Sequence, residues 1–118
     1  MSKYIDFSEL VGLTLDSLRL NADDSIITIT SGSRTFKMEH LQDCCESVYV
    51  ESIVGDIDDV LNSPIVVAEV STQDVDCKDG DEMWTFYKLD TVKGGITIRW
   101  NGQSNGWYSI EVDFREVK

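Results

Sequence analysis

Histidine, proline and cysteine are scarce in this chain. It contains one histidine, His40, one proline, Pro64, and three cysteines. Because histidine is the side chain whose charge ordinarily changes near neutral pH, acid–base chemistry at that pH would have to pass through His40. An odd number of cysteines, with Cys44 and Cys45 adjacent, argues against the disulfide framework of a secreted protein. We therefore expect reduced thiols.

Long apolar runs are also absent. The N-terminal stretch 1–6 is too polar for a signal peptide, and no segment approaches the roughly 18 apolar residues of a membrane span. We therefore expect a cytoplasmic protein that has no membrane partner. The 118 residues suffice for one hydrophobic core and are interpreted as a single domain, 1–118.

Basic residues are few. Ten lysines and arginines face 22 aspartates and glutamates, so the net charge is −12. This charge repels a nucleic-acid backbone, and direct nucleic-acid binding is therefore disfavoured. It would suit a basic partner protein, including one whose nucleic-acid-binding cleft an acidic surface could occupy. The simpler alternative is that the acidity only keeps the protein soluble.

Several segments rich in β-branched and aromatic residues predict strands. The clearest early pair is 25–30 and 33–40, joined by the two-residue turn signal Ser31-Gly32. The remaining strand segments in the first 90 residues are 13–20, 47–54, 65–70 and 83–90.

Helical segments are short. Only 7–11 and 56–61 have helical character, and neither is long enough to connect parallel strands. The stretch 71–82, which includes Cys77, holds five carboxylates and few apolar residues, so we interpret it as a solvated, mobile loop. The predicted fold class is α+β: a single, mostly antiparallel curved sheet of about six or seven strands with one or two short helices.

A final hairpin is predicted near the C-terminus. Residues 94–101 and 107–114 alternate around the turn 102–106, which would set Trp100 opposite Tyr108.

The outer face of that hairpin would carry a candidate binding surface. Arg99 and Trp107 would lie there, beside the turn residues Ser104 and Asn105. A guanidinium, an aromatic ring and amide groups can hold a small nucleotide or a loop of a partner.

Side chains capable of chemistry concentrate between His40 and Glu46. The segment contains His40, Asp43, Cys44, Cys45 and Glu46. The types suit a transition metal, but adjacent cysteines rarely bind one tetrahedral ion together, so we expect no metal and no cofactor. A Cys44–His40 nucleophilic pair is conceivable, but no orienting group accompanies it, so we assign no catalytic residues.

A structural interpretation of the same segment is equally open. His40 continues the apolar row of Phe36 and Met38, which is typical of an interior histidine held by a carboxylate or a carbonyl. We expect Cys44 and Cys45 to point to opposite sides of the chain, with at least one packed in the core.

Two motifs carry a resemblance to known proteins. They are H-x-Q-D-C-C-E-S-V-Y at 40–49 and T-I-R-W-x-G-x-S-N-G-x-Y at 97–108. Over roughly residues 4–114 the chain resembles a family of small, mostly uncharacterised proteins of phages, prophages and some bacteria. The resemblance implies a phage or prophage context, hence a host-cell cytoplasm, and supplies no catalytic residues.

The expected function is therefore binding. We expect a non-catalytic phage or prophage protein, not an enzyme, that modulates or inhibits a host protein, such as a basic nucleic-acid-binding or defence protein. The carboxylates expected to contact a basic partner are Asp23, Asp24, Asp56, Asp58, Asp59, Glu111 and Asp113. The alternatives are a protein that sequesters a nucleotide signal through Arg99 and Trp107, and a metal- or thiol-dependent enzyme that uses residues 40–45.

Overall fold

A computed structural model describes residues 2–76 and 79–117, which form two antiparallel sheets around a shared hydrophobic core. In this part of the chain the strands are β1 (Ser2–Tyr4), β2 (Ser17–Leu20), β3 (Ile26–Ser31), β4 (Arg34–Glu39), β5 (Ser47–Gly55), β6 (Val67–Val75), β7 (Asp81–Thr91), β8 (Gly94–Ser104) and β9 (Asp113–Val117). The first sheet has the order β1-β9-β4-β3-β2, and the second has the order β5-β8-β7-β6.

The helical elements of the described residues are two 3-10 turns. They lie at Phe7–Leu10 and Ile57–Val60, where the sequence predicted short helices. Asp56 caps the second turn, because its side chain accepts a hydrogen bond of 3.0 Å from the Asp58 N–H. None of the helical elements described is long and apolar enough to span a membrane.

The predicted α+β class is wrong, because the described residues contain nine strands, two 3-10 turns and no α-helix. The predicted single sheet is also wrong, because the strands divide into sheets of five and four strands. The chain crosses from the first sheet to the second through residues 40–46 and returns through 105–112. Alternation along a strand reveals which side chains are buried but not which sheet the strand joins. The two crossings therefore left no signal in the pattern.

The first predicted hairpin is confirmed, with its two-residue turn at Gly32-Ser33 instead of Ser31-Gly32. β3 pairs with β4 from Ile26 opposite Glu39 to Ser31 opposite Arg34. Gly32 has φ of +60°, a conformation that glycine adopts readily in a tight turn.

The predicted C-terminal hairpin is wrong. β8 pairs with β7 across the turn Val92-Lys93 and with β5 on its other side. Trp100 therefore lies opposite Thr85 and Val50 instead of Tyr108. Residues 105–112 form no strand, because they carry the chain back to the first sheet.

The predicted loop at 71–82 is largely sheet. β6 and β7 pair without interruption from Val67 opposite Asp90 to Val75 opposite Glu82. Continuous backbone hydrogen bonding to the long β7 supports a segment that has few apolar side chains of its own. Cys77 lies outside the described residues.

Aromatic side chains join the two sheets in the core. The Trp100 Nε1–H of β8 lies 3.1 Å from the Met38 Sδ of β4, and both side chains are buried. The ring of Phe114 stacks on Phe36 with 5.7 Å between centroids and meets Phe7 edge to face. The Trp100–Met38 contact holds β8 of the second sheet against β4 of the first, whereas the Phe114 contacts pack β9 against its neighbour β4 and the first 3-10 turn.

The contact between the sheets predicts an energetic coupling. The double variant Trp100→Phe with Met38→Leu should deviate from additivity by at least about 0.5 kcal/mol in the free energy of unfolding, because the side chains touch. Urea unfolding of the two single variants and the double variant measures this quantity. As a control, Trp100→Phe with Tyr108→Phe should be additive within about 0.5 kcal/mol. Additivity of the first pair and coupling in the second pair would instead support the predicted hairpin.

Candidate functional site

His40 lies at the first crossing between the sheets, and both of its ring nitrogens are engaged. Nδ1 lies 2.7 Å from the Glu111 carbonyl oxygen, and Nε2 lies 2.7 Å from Glu46 Oε2. The His40 side chain is only 5% exposed. Because a carbonyl oxygen can only accept, Nδ1–H is the donor of the hydrogen bond to Glu111. This is one of the two interpretations that the sequence left open, an interior histidine held by a carboxylate or a carbonyl, and the ring has both.

The carboxylate of Glu46 organises the rest of this corner. It is fully buried and accepts hydrogen bonds from His40, from the N–H groups of Asp43 and Cys44 at 2.9 and 2.8 Å, and from Gln42 Nε2. The hydrogen bond from His40, helped by the two N–H groups, lowers the pKa of Glu46 to about 2, although burial acts to raise it. The sequence placed Glu46 in a candidate site but did not indicate that it would be the buried member.

This corner is built for positioning. Because both nitrogens of His40 are occupied, neither is available to take a proton from Cys44. In residues 2–76 and 79–117, no three histidine, cysteine or carboxylate side chains converge as metal ligands would. What the corner does is tie residues 40–46 to Glu111, which belongs to the second crossing.

The predictions that the thiols of Cys44 and Cys45 are reduced, and that at least one of these cysteines is packed in the core, are wrong. Cys44 and Cys45 are joined by a disulfide, and both residues are exposed. The buried position at this corner belongs to the next residue, Glu46, so the cysteines lie on the outside of the bend.

Arg99 and Trp107 lie on different elements, β8 and the crossing that follows it. Arg99 lies on the outer face of the second sheet, where its guanidinium carbon is 4.9 Å from the centre of the Trp84 ring and Nη1 is 3.3 Å from Glu51 Oε2. Trp107 follows β8 in the crossing and is 86% exposed. The two were predicted together only because residues 107–114 were read as the partner strand of β8.

Ser104 and Asn105 fold the start of the same crossing locally. Ser104 Oγ accepts a hydrogen bond from the Gly106 N–H, and Asn105 Oδ1 accepts one from the Trp107 N–H. These hydrogen bonds account for Ser104 and Asn105 as turn-forming residues, so no ligand is needed to explain their presence.

The predicted carboxylate clusters at 23–24 and 56–59 lie in turns. Asp23 accepts hydrogen bonds from Ser25 and Asn21, and the Ser25 bond is the main cause of its lowered pKa. The carbonyl of Asp59 accepts a hydrogen bond from Thr91, and Asp58 uses its carbonyl to accept one from Lys93. The carboxylate of Asp23 and the backbone carbonyls of Asp58 and Asp59 therefore have structural partners.

Glu111, from the third predicted cluster, lines an open groove that the sequence did not reveal. The groove has a volume of about 590 Å³ and lies between residues 74–76 and 80–83 on one side and residues 108–111 on the other. Its carboxylates are Asp74, Asp76, Asp81, Glu82 and Glu111, and its large apolar side chains are Val75, Met83, Tyr108 and Ile110. We call it the acidic groove. Asp113, the other member of the cluster, begins β9 and does not line it.

The groove exists because β6 of the second sheet extends beyond the region in which its inner face is buried. Ala68 of β6 is buried, but Val70, Thr72 and Asp74, which follow on the same face, are exposed. A smaller pocket of about 240 Å³ beneath Val70 and Thr72 reaches Glu111 and Val112. It shares Glu111 and Met83 with the acidic groove, so the concave surface continues along β6.

Two buried donors hold the far wall of the groove. His40 Nδ1–H donates to the carbonyl of Glu111, and the Tyr87 hydroxyl donates to that of Val112 at 3.3 Å. Burial, with Asp113 nearby, raises the pKa of Tyr87 far above its usual range, so the phenol remains a donor. The carboxylate of Glu111 stays exposed.

A protein-family model matches most of this chain. The family model described as "Domain of unknown function (DUF7448)" matches residues 8–114. The chain belongs to this family. The matched range includes the His40–Glu46 corner and the acidic groove of this DUF7448 domain. No curated protein and no solved structure matched.

The predicted resemblance is therefore confirmed at the level of an uncharacterised family. A phage or prophage origin, and the two motifs as marks of the family, stay predictions for this DUF7448 domain.

The lowered pKa of Glu46 predicts a pH-dependent role in stability. Its folded-state pKa lies below the unfolded value of about 4.3, so its contribution is present above that pH and is lost as pH falls toward 2. In urea unfolding, the difference in the free energy of unfolding between wild type and Glu46→Gln should shrink as pH falls from about 5 toward 2. A difference that does not change with pH would contradict this. Glu69→Gln, at an exposed position, should stay within about 0.5 kcal/mol of wild type near neutral pH.

The exposed disulfide predicts a labelling pattern. Native protein treated with iodoacetamide should take no label at Cys44 or Cys45 without a reductant, because disulfide sulfurs are not nucleophilic thiolates. After mild reduction both should be labelled rapidly, because both are exposed. Peptide mass spectrometry measures each site. Slow labelling of one of them after reduction would favour the buried cysteine that the sequence predicted.

Proposed function

We propose that this DUF7448 domain is a non-catalytic phage or prophage binding protein that modulates a host protein by holding a basic segment of it in the acidic groove. The observation that carries the proposal is the groove itself, which combines five carboxylates with large apolar side chains in about 590 Å³. The net charge of −12 supports a basic partner, and the resemblance to phage and prophage proteins supports the context.

The groove chemistry favours lysine and arginine side chains. Their apolar stems can pack on Met83, Tyr108 and Ile110 while the charged ends reach the carboxylates at the rim. Each exposed ion pair contributes only about 0.2–1 kcal/mol. Several pairs together with apolar burial are therefore needed for a stable complex, and the groove offers both.

The alternative functions have less support. A nucleotide would need the Arg99 guanidinium for its phosphate, and that group is already paired with Glu51 and stacked on Trp84. An enzyme that used residues 40–45 would need His40 as a base, and its ring is occupied on both sides.

Neutralising the groove tests the proposal. Immobilised protein would capture its partner from a bacterial lysate, with bound proteins quantified by mass spectrometry. The triple variant Asp74→Asn, Asp81→Asn and Glu111→Gln should retain about tenfold less of the partner than wild type, because three rim pairs are lost.

The control changes net charge by the same amount elsewhere. The triple variant Asp23→Asn, Asp24→Asn and Asp58→Asn removes three exposed carboxylates outside the groove, in the clusters first predicted to bind. It should retain the partner nearly as well as wild type at about 0.15 M salt, where distant charges are screened. Equal losses in both triples would indicate non-specific attraction. A loss in the control alone would move the interface to those turns.

A further inference from the structure

Three of the four strands at the sheet edges are protected against pairing with another chain. β1 has three residues and β2 has four, so each offers little backbone. β5 is longer, but its register shifts between Val50 and Ser52, and the Val50 N–H is already bound to the Asp24 carbonyl. Short strands and bulges are the usual protection of an exposed edge.

The fourth edge strand, β6, lacks this protection. It has nine residues in one register, with no bulge, no proline and no lysine. The backbone just before β6 is already hydrogen-bonded, because the Ile65 carbonyl accepts from the Gly12 N–H and the Ile65 N–H donates to the Leu13 carbonyl. Beyond that point, among residues 2–76 and 79–117, no strand pairs with the outer side of β6, and the element other than β7 that packs against this strand is the first 3-10 turn, Phe7–Leu10. Half of the backbone N–H and C=O groups of β6 point to that outer side.

β6 is also a wall of the acidic groove. Asp74 and Val75 line the groove, and Val70 and Thr72 line the pocket that continues it. A strand added to β6 would place alternate side chains on the face that holds Val70, Thr72 and Asp74. Those side chains would therefore enter the concave acidic surface.

We infer that β6 binds an extended, basic segment of a partner protein as a fifth strand of the second sheet. This inference rests on the proposed function and specifies how the basic segment is held. Backbone hydrogen bonds to β6 would supply affinity, while lysine or arginine at every second position would meet Asp74 and Glu111. A second copy of this chain is the less suitable occupant, because two bodies with a charge of −12 repel each other.

Methylated peptides test the backbone pairing directly. The probe is a fluorescent peptide of about ten residues that alternates lysine and valine, long enough to span β6. Two further versions carry N-methyl groups on either the odd or the even backbone nitrogens, which keeps the charge and side chains but removes the donors of one edge. Fluorescence anisotropy, measured as the full chain is added, should show binding of the parent peptide. The affinity should fall at least tenfold for one methylated version only.

Amide hydrogen exchange locates the contact. On addition of the parent peptide, amides of residues 67–75 should become protected, whereas those of the other edge strand, β5, should not change. Absence of peptide binding up to about 1 mM, equal effects of the two methylations, or protection at β5 would each overturn the inference. A dimer of the free protein whose formation protects β6 would also overturn it, since the edge would then bind its own copy.

The groove variant separates this inference from the proposed function. If Asp74→Asn, Asp81→Asn and Glu111→Gln weakens the peptide while both methylated versions still bind, the groove functions without strand addition, and only the further inference fails. If the peptide adds to β6 and the same triple leaves capture of the lysate partner unchanged, the proposed function fails instead.

Discussion

One histidine ring connects the two places where the chain passes between the sheets. The first crossing contains His40 and Glu46, and the second contains Glu111, whose carbonyl accepts a hydrogen bond from the ring. Neither crossing has a strand partner of its own to fix its path. The ring, with the Tyr87 hydroxyl on the Val112 carbonyl, therefore supplies buried constraints of the kind that elsewhere in this fold come from strand pairing.

Burying the carboxylate of Glu46 is costly unless each of its oxygens finds a hydrogen-bond partner. Glu46 meets this condition with a ring N–H, two backbone N–H groups and the amide of Gln42. Removing any one partner would leave a buried charge incompletely compensated. The acidic groove thus has one wall made of regular sheet and another whose position depends on a polar network on the inner side of the molecule.

Sequence reasoning succeeded where the information was local. The hairpin of β3 and β4 and the interior position of His40 follow from alternation and turn residues. It failed where the deciding contact was distant: the partner of Trp100 is Met38, far away in sequence, and β6 is stabilised by pairing with β7 and not by its own apolar residues. The acidic groove could not be predicted, because it requires knowing where residues 105–112 cross. The β-branched residues of β6 were the one signal that 71–82 was not a loop.

The order of the first sheet has a consequence for how this protein is made. β9 lies between β1 and β4, so a strand near the end of the chain occupies an interior position of the sheet. A ribosome synthesises the strands on both sides of that position before the one that fills it. Until residues 113–117 emerge, β1 and one side of β4 remain open to wrong partners, and the sheet must close through contacts distant in sequence. Completion of this sheet therefore waits for residues 113–117, after every other strand in it has been synthesised.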